Sequence, residues 1–226
     1  DAPKTMPILT PSTNAQVGTV SLGNAVDVDR AVAAAKTAFE TFSLTTKDER
    51  LALLRKLAEL TRARLGDLAA AITMEMGAPA TMSRDAQADA GLGHLEAFLT
   101  ALEAHDEEEI LPNGDIVSRE PIGVCGLITP WNWPINQIAL KVIPALATGS
   151  TCVLKPSEHT PLSAQIYAEL IHEAGYPAGV FNLVYGDGPS VGAALSRHPD
   201  VAMMSFTGST RAGSAVSVDA AATIKR

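Results

Sequence analysis

The chain has 226 residues, of which 46% are hydrophobic and 19% charged, and its formal net charge is −8. That balance is ordinary for a globular protein with one large domain, or a domain plus an excursion. The acidic charge argues against nucleic-acid or anionic-membrane partners, which call for a basic patch, and no apolar run approaches a membrane span or a signal segment.

Asp1 is not an initiator Met, so the translation start is expected upstream. Residues 1–24, rich in Thr, Ser, Pro and Asn, read as an extended arm or edge strand around Gln16–Val20. From Asp27 the pattern turns helical, with Val28, Ala31, Val32, Ala35 and Phe39 at three- and four-residue spacing. A second helix follows a cap at Thr45 or Thr46, carries the stripe Leu51, Leu54, Leu57 and Leu60, and runs to Leu65-Gly66. A third spans Asp67 to Met76 and stops at Gly77, with Met74 and Met76 expected as core filler. A fourth runs from Arg84 to His105, with His94 and His105 expected at the surface. The Asn113-Gly114 pair between β-capable flanks predicts a hairpin over 107–119. Two strands alone are marginal, so it should lean on something else, such as a neighbouring subunit.

From Gly123 strands and helices alternate. Strands are expected at 123–128, 151–154, 180–184 and 201–206, and helices at 135–147, 161–174, 189–197 and 209–222. This rhythm predicts an α/β fold with a parallel, Rossmann-like sheet, an N-terminal helical layer and an extending β-hairpin. The division expected is 1–105 for the arm and helices, 106–121 for the hairpin and 122–226 for the sheet region. Cys125 and Cys152 sit in apolar strands and read as buried, reduced thiols in a cytoplasmic protein.

The residues that carry chemistry follow the strands. Thr129-Pro130-Trp131-Asn132-Trp133-Pro134 places a polar amide in a stiff loop at a strand's carboxyl end, where open α/β sheets bind ligands. Lys155-Pro156-Ser157-Glu158 puts a cation and a carboxylate after the second strand. Gly186-Asp187-Gly188-Pro189, with Gly192 beyond it, follows the third. Phe206-Thr207-Gly208-Ser209-Thr210-Arg211-Ala212-Gly213 follows the fourth and is the best phosphate cradle; Gly-x-Gly-x-x-Gly is absent after the first strand. Each glycine loop alone reads equally well as ordinary turn glycines.

Together these motifs, in this order and with Glu120-Pro121-Ile122-Gly123-Val124 before them, resemble the aldehyde dehydrogenase superfamily over essentially the whole chain. The resemblance implies NAD-dependent oxidation of an aldehyde to a carboxylic acid, with NADP as the alternative cofactor, no metal, and a homodimer or homotetramer assembled partly through the hairpin. It implies that Asn132 donates to the oxyanion of a thiohemiacetal and that Lys141 relays protons, although a lysine snorkelling to solvent explains Lys141 too. Lys155 and Glu158 would hold the adenosine ribose, with Pro156 and Ser157 shaping their turn. Ser209 and Trp131 would meet the pyrophosphate, Ile128, Thr129 and Pro130 the nicotinamide side, and Gly188, Pro189 and Gly192 the adenine side. Phe206, Thr207, Gly208 and Gly213 complete the cradle. Trp133, Gln137 and Ile138 hint at an apolar aldehyde entrance, and core packing explains them as well. The family's nucleophilic cysteine and general-base glutamate have no match, since Cys125 and Cys152 precede the phosphate loop. The chain therefore reads as the N-terminal half of such an enzyme, expected to stop before the catalytic domain. A truncated, non-catalytic nucleotide-binding or assembly module is the alternative.

Overall fold

The computed structural model describes residues 4–226. At the start, β1 (Lys4–Leu9) pairs antiparallel with β2 (Gln16–Leu22). The arm is thus a hairpin, of which the sequence showed only the second strand. Pro7 and the polar alternation of Lys4–Thr5 conceal the first, and the arm's residues 1–3 lie outside the described residues.

Helix α1 (Ala25–Phe42) starts two residues before Asp27 because Asn24 caps it, and Asp27 returns a bond to the Asn24 backbone in a capping box. Thr46 and Glu49 form the same device at α2 (Lys47–Ala63). Arg64 interrupts the helix, α3 (Leu65–Met76) follows at once, and left-handed Gly77 ends it. Within α3, Met76 packs against the core as expected, whereas Met74 is 43% exposed and Glu75 is buried. The fourth helix begins earlier than its pattern suggests. A single turn, α4 (Ala80–Met82), passes through a π-helical segment, Ser83–Ala88, into α5 (Asp89–Glu103). The Asn-Gly hairpin forms as read, with β3 (Glu108–Ile110) against β4 (Ile116–Ser118), and it is exposed along both strands.

The parallel sheet contains β5 (Val124–Ile128), β6 (Thr151–Lys155), β7 (Phe181–Leu183) and β8 (Val201–Phe206) in the order β7-β6-β5-β8. Between them run α6 (Pro134–Ala147), α7 (Pro161–Glu173), and a π-turn at Gly188–Gly192 leading into α8 (Ala193–Arg197). Helix α9 (Thr210–Ala221) follows β8. Beyond it, Arg226 exchanges backbone hydrogen bonds with Ala202 and Met204 (3.2 and 2.7 Å), the pattern of a parallel neighbour on β8.

The two-residue period of the strands sorts the core into two layers. Cys125, Leu127, Cys152 and Leu154 face α6, α7 and the N-terminal helices in one cluster. Val124, Ile128 and Val153 face α1 and α8 in a second. Both cysteines are free and buried, as the apolar strands suggested.

Candidate active site

The strand order reverses at β5. β6 and β7 lie to one side of it and β8 to the other, so the loops after β5 and β8 flank a topological switch point, the usual ligand crevice of such sheets. Backbone bonds hold this edge together: Thr207 N–H donates to the Ile128 carbonyl (3.1 Å), and Thr129 N–H donates to the Lys155 carbonyl (3.2 Å). Three successive strand ends are thereby fixed relative to one another.

A cleft of ≈ 660 Å³ opens on this edge and brings together Ile128, Lys155, Gly188, Pro189, Gly192 and Phe206. Lys155 is buried, and its ammonium donates to the carbonyls of Gly186 (2.7 Å) and Pro156 (3.0 Å) and to Glu158 Oε2 (3.3 Å). Burial lowers its pKa, with the Glu158 charge opposing the shift. Phe206 forms part of the floor because two glycines admit its ring. A Cβ on Gly208 would lie 2.5 Å from the ring tip, and one on Gly213 3.2 Å from its edge. These glycines therefore serve the aromatic floor, whereas an atom added at Gly188 would meet nothing within 4 Å.

Helix α9 opens with a Ser209 cap, whose Oγ accepts from the Ala212 N–H (3.3 Å). Asp187 likewise caps the π-turn by accepting from the Ser190 N–H (2.8 Å), and that turn positions Gly188 and Gly192. The ligand chemistry on offer is apolar walls for a planar base, fixed cations for ribose and phosphate, and a helix N-terminus for an anion. An adenine dinucleotide fits that donor set.

The other residues singled out from the sequence distribute around the cleft. Trp131 (53% exposed) and Glu158 line a neighbouring hollow of ≈ 650 Å³ beside Met6, Leu9 and Glu75, so Lys155 and Glu158 touch each other while facing different spaces. Thr129, Pro156 and Ser157 are buried and hold the turns, and Pro130 is half-buried. Asn132 is exposed, and its amide has no hydrogen-bond partner among the described residues. Pro134 at the first position of α6 fixes the path just after it.

Lys141 lies on α6 and donates to Ser205 Oγ on β8 (3.1 Å), with its pKa lowered by burial. It is anchored to the sheet and does not snorkel to bulk solvent. Ile138 is fully buried core, which removes it from any entrance, whereas Trp133 and Gln137 remain half-buried. His94 is half-buried and bonded to Asn136 on α6 (2.7 Å), in place of the surface position expected, and His105 is exposed. The cysteine thiols are pushed up by burial, Cys125 to about 11 and Cys152 well above the ordinary thiol value, so neither offers a thiolate.

The sequence reading missed the wall supplied by α9. Beyond Arg211 and Ala212 of the expected cradle, Ala215, Val216 and Asp219 line the cleft, and Arg197 of α8 faces them. Their i, i+4 spacing is the available signal.

The family model described as aldehyde dehydrogenase family matches residues 1–226. A 3-succinoylsemialdehyde-pyridine dehydrogenase from a Pseudomonas species is 54% identical over 97% of this chain and 46% of its own length. Among solved structures, an aldehyde dehydrogenase from Bartonella henselae superposes with a TM-score of 0.98 at 49% identity, over 100% of this chain and 48% of that one. A mutant of aldehyde dehydrogenase C from Pseudomonas syringae, complexed with NAD+ and octanal, gives 0.98 at 47% identity, over 100% and 46%. The chain spans about half the length of the curated relatives it matches.

Proposed function

This chain belongs to the aldehyde dehydrogenase family, and from that premise we propose that it supplies the cofactor site and the oxyanion donor for NAD-dependent oxidation of an aldehyde to a carboxylic acid. The observation that carries the reading is the switch point, where the Asn132 loop, the Lys155 turn and the Ser209 cradle share one sheet edge. NAD, when bound, accepts the hydride that leaves the aldehyde-derived adduct.

The residues of this chain do the rest. Lys155, its ammonium engaged by the Gly186 and Pro156 carbonyls and by Glu158, fixes a cation at this turn, and Glu158, on the neighbouring hollow, is the acceptor offered to a ribose hydroxyl. A carboxylate at that place disfavours a 2′-phosphate and so favours NAD over NADP. Ile128, Phe206 and Pro189 exclude water from the cleft. Asn132 keeps its amide N–H groups free for the negative charge that develops on the carbonyl oxygen. A preorganised neutral donor of that kind supplies about 2.7–4 kcal/mol. Lys141, partly desolvated and bonded to Ser205, suits proton movement behind Asn132.

Buried Cys125 and Cys152 do not act as the nucleophile, so the thiolate that the chemistry needs comes from neither of them. That same observation favours a second reading, a nucleotide-binding module without catalysis. The test is Asn132→Ala in the complete protein. Turnover should fall about 10²–10³-fold with NAD affinity unchanged. Equal turnover in the variant refutes the oxyanion role. Wild-type protein that binds NAD and oxidises no aldehyde leaves the module reading standing.

A further inference from the structure

Helix α9 presents one face to the cleft, and its chemistry changes along its length. Arg211 stands at the amino-terminal end, Ala212, Ala215 and Val216 form a flat apolar step, and Asp219 closes the far end. From Arg211 to Asp219 is eight residues, or about 12 Å of helix rise. Asp219 is already engaged, since its Oδ1 accepts from Arg197 Nε across the cleft at 2.9 Å. The cations on this cleft are therefore unequal. Arg197 is paired with Asp219, and Lys155 is held by Gly186, Pro156 and Glu158. Arg211 has no hydrogen bond or ion pair among the described residues. Arg211 lies two residues beyond the Ser209 cap of α9 and lines the cleft.

We propose that Arg211 is a cofactor-binding residue whose guanidinium pairs with the pyrophosphate of a dinucleotide while the dinucleotide's base stacks on the Ala212–Ala215–Val216 step. This rests on the dinucleotide reading given above and adds the group that neutralises the ligand's charge. A protein with net charge −8 that binds a dianionic diphosphate has to supply compensating charge locally. The helix N-terminus supplies a fraction of one charge, and a guanidinium matches two phosphate oxygens at once. The paired Arg197–Asp219 end sets the depth of the base pocket and leaves Arg211 as the free cation at the phosphate end.

The test is equilibrium binding of NAD, NADP, ADP and adenosine to the complete protein, wild type and Arg211→Gln, with Arg211→Lys as the charge-retaining control. Arg211 is exposed at the start of α9, so the glutamine variant should unfold at the wild-type temperature. Loss of a charge-assisted phosphate contact should weaken NAD and ADP about tenfold, leave adenosine unchanged and flatten the salt dependence of NAD binding. Arg211→Lys should recover most of the affinity. Unchanged NAD and ADP affinity overturns the proposal, and so does an equal loss for adenosine. A loss confined to NADP also overturns it, because Arg211 would then read a 2′-phosphate. If the wild type binds neither NAD nor ADP, the dinucleotide reading itself falls and takes the proposal with it.

Discussion

Glu75 shows how far a single side chain can act from its own element. It belongs to α3, yet its carboxyl accepts from the Leu162 N–H (2.6 Å), the Ser163 N–H (3.0 Å) and the Ser163 hydroxyl, at the start of α7. Thr160 gives α7 no side-chain cap, so Glu75 satisfies the orphan donors in its place. Burial raises the Glu75 pKa from 4.5 to about 7, against the opposing pull of those hydrogen bonds. Between these two values the folded protein binds more protons here than the unfolded chain does. This contribution to stability is fully present below pH 4.5, declines as pH rises, and is gone above about pH 7. Glu75→Gln does not titrate, so the wild type should lose on the order of 3 kcal/mol relative to the variant across that window. Urea titrations of both proteins at several pH values read the difference, and parallel stability-versus-pH curves would contradict it. No local pattern announces this cap, because donor and acceptor are 87 residues apart. Buried Arg50 is hidden in the same way: it donates to the Ala147 carbonyl (2.9 Å), 97 residues away, and to Glu107. The places of Asn132 and Lys155 were legible for the opposite reason, since Lys155 ends a buried strand and Asn132 follows another by four residues.

Among the elements, the legible ones are those whose signals are local. Alternating apolar runs gave the four parallel strands, and turn glycines gave the helix ends at Gly77, Gly149 and Gly175, which all adopt positive φ. Strand β1 and the π-helical segment were not legible, since one is set by its partner β2 and the other by packing against α3 and α6. The later part of the α9 wall, Ala215, Val216 and Asp219, escaped too, because one small and one half-buried apolar residue beside an acid carry little hydrophobic contrast. Gly91 shows how packing decides an element's place. It brings α5 against α6, the helix that carries Lys141 and follows Asn132, and an added Cβ would lie 2.3 Å from Ile135 Cγ2. Ile135 is fully buried within the main core cluster. Gly91→Ala should cost about 1–3 kcal/mol through overpacking, despite the better helix propensity of alanine. Thermal and urea unfolding check the sign, and a gain in stability would mean that α5 and α6 move apart freely. If the proposed oxyanion role of Asn132 holds, an outward shift of α6 to accept the methyl group should lower turnover more than NAD affinity in the same variant.

At the scale of the whole molecule, the β3–β4 hairpin is the part that the rest of the chain does not explain. Its base is tied down by Arg50 to Glu107 and by Arg119 to the Asp106 carbonyl (3.2 Å). Beyond that base, Ile110 and Ile116 face each other across the strands and remain 75% and 64% exposed. An isolated two-stranded ribbon is marginal in water, and exposed apolar residues on a strand edge invite pairing with another chain. A second copy of this protein is the partner that the family resemblance suggests. Replacing both isoleucines by aspartate should leave the sheet and the cleft intact, because neither residue belongs to either core cluster. If the hairpin is an assembly arm, Ile110→Asp with Ile116→Asp should lower the mass measured by sedimentation equilibrium to that of a smaller assembly. Dinucleotide binding per chain should stay near the wild-type value, since the cleft is lined by the sheet edge, the Gly188–Gly192 turn, α8 and α9, and by no residue of the hairpin. An unchanged mass would remove the hairpin from the interface. A reduced mass with dinucleotide binding lost would show that the cleft depends on assembly, which its lining within one chain argues against.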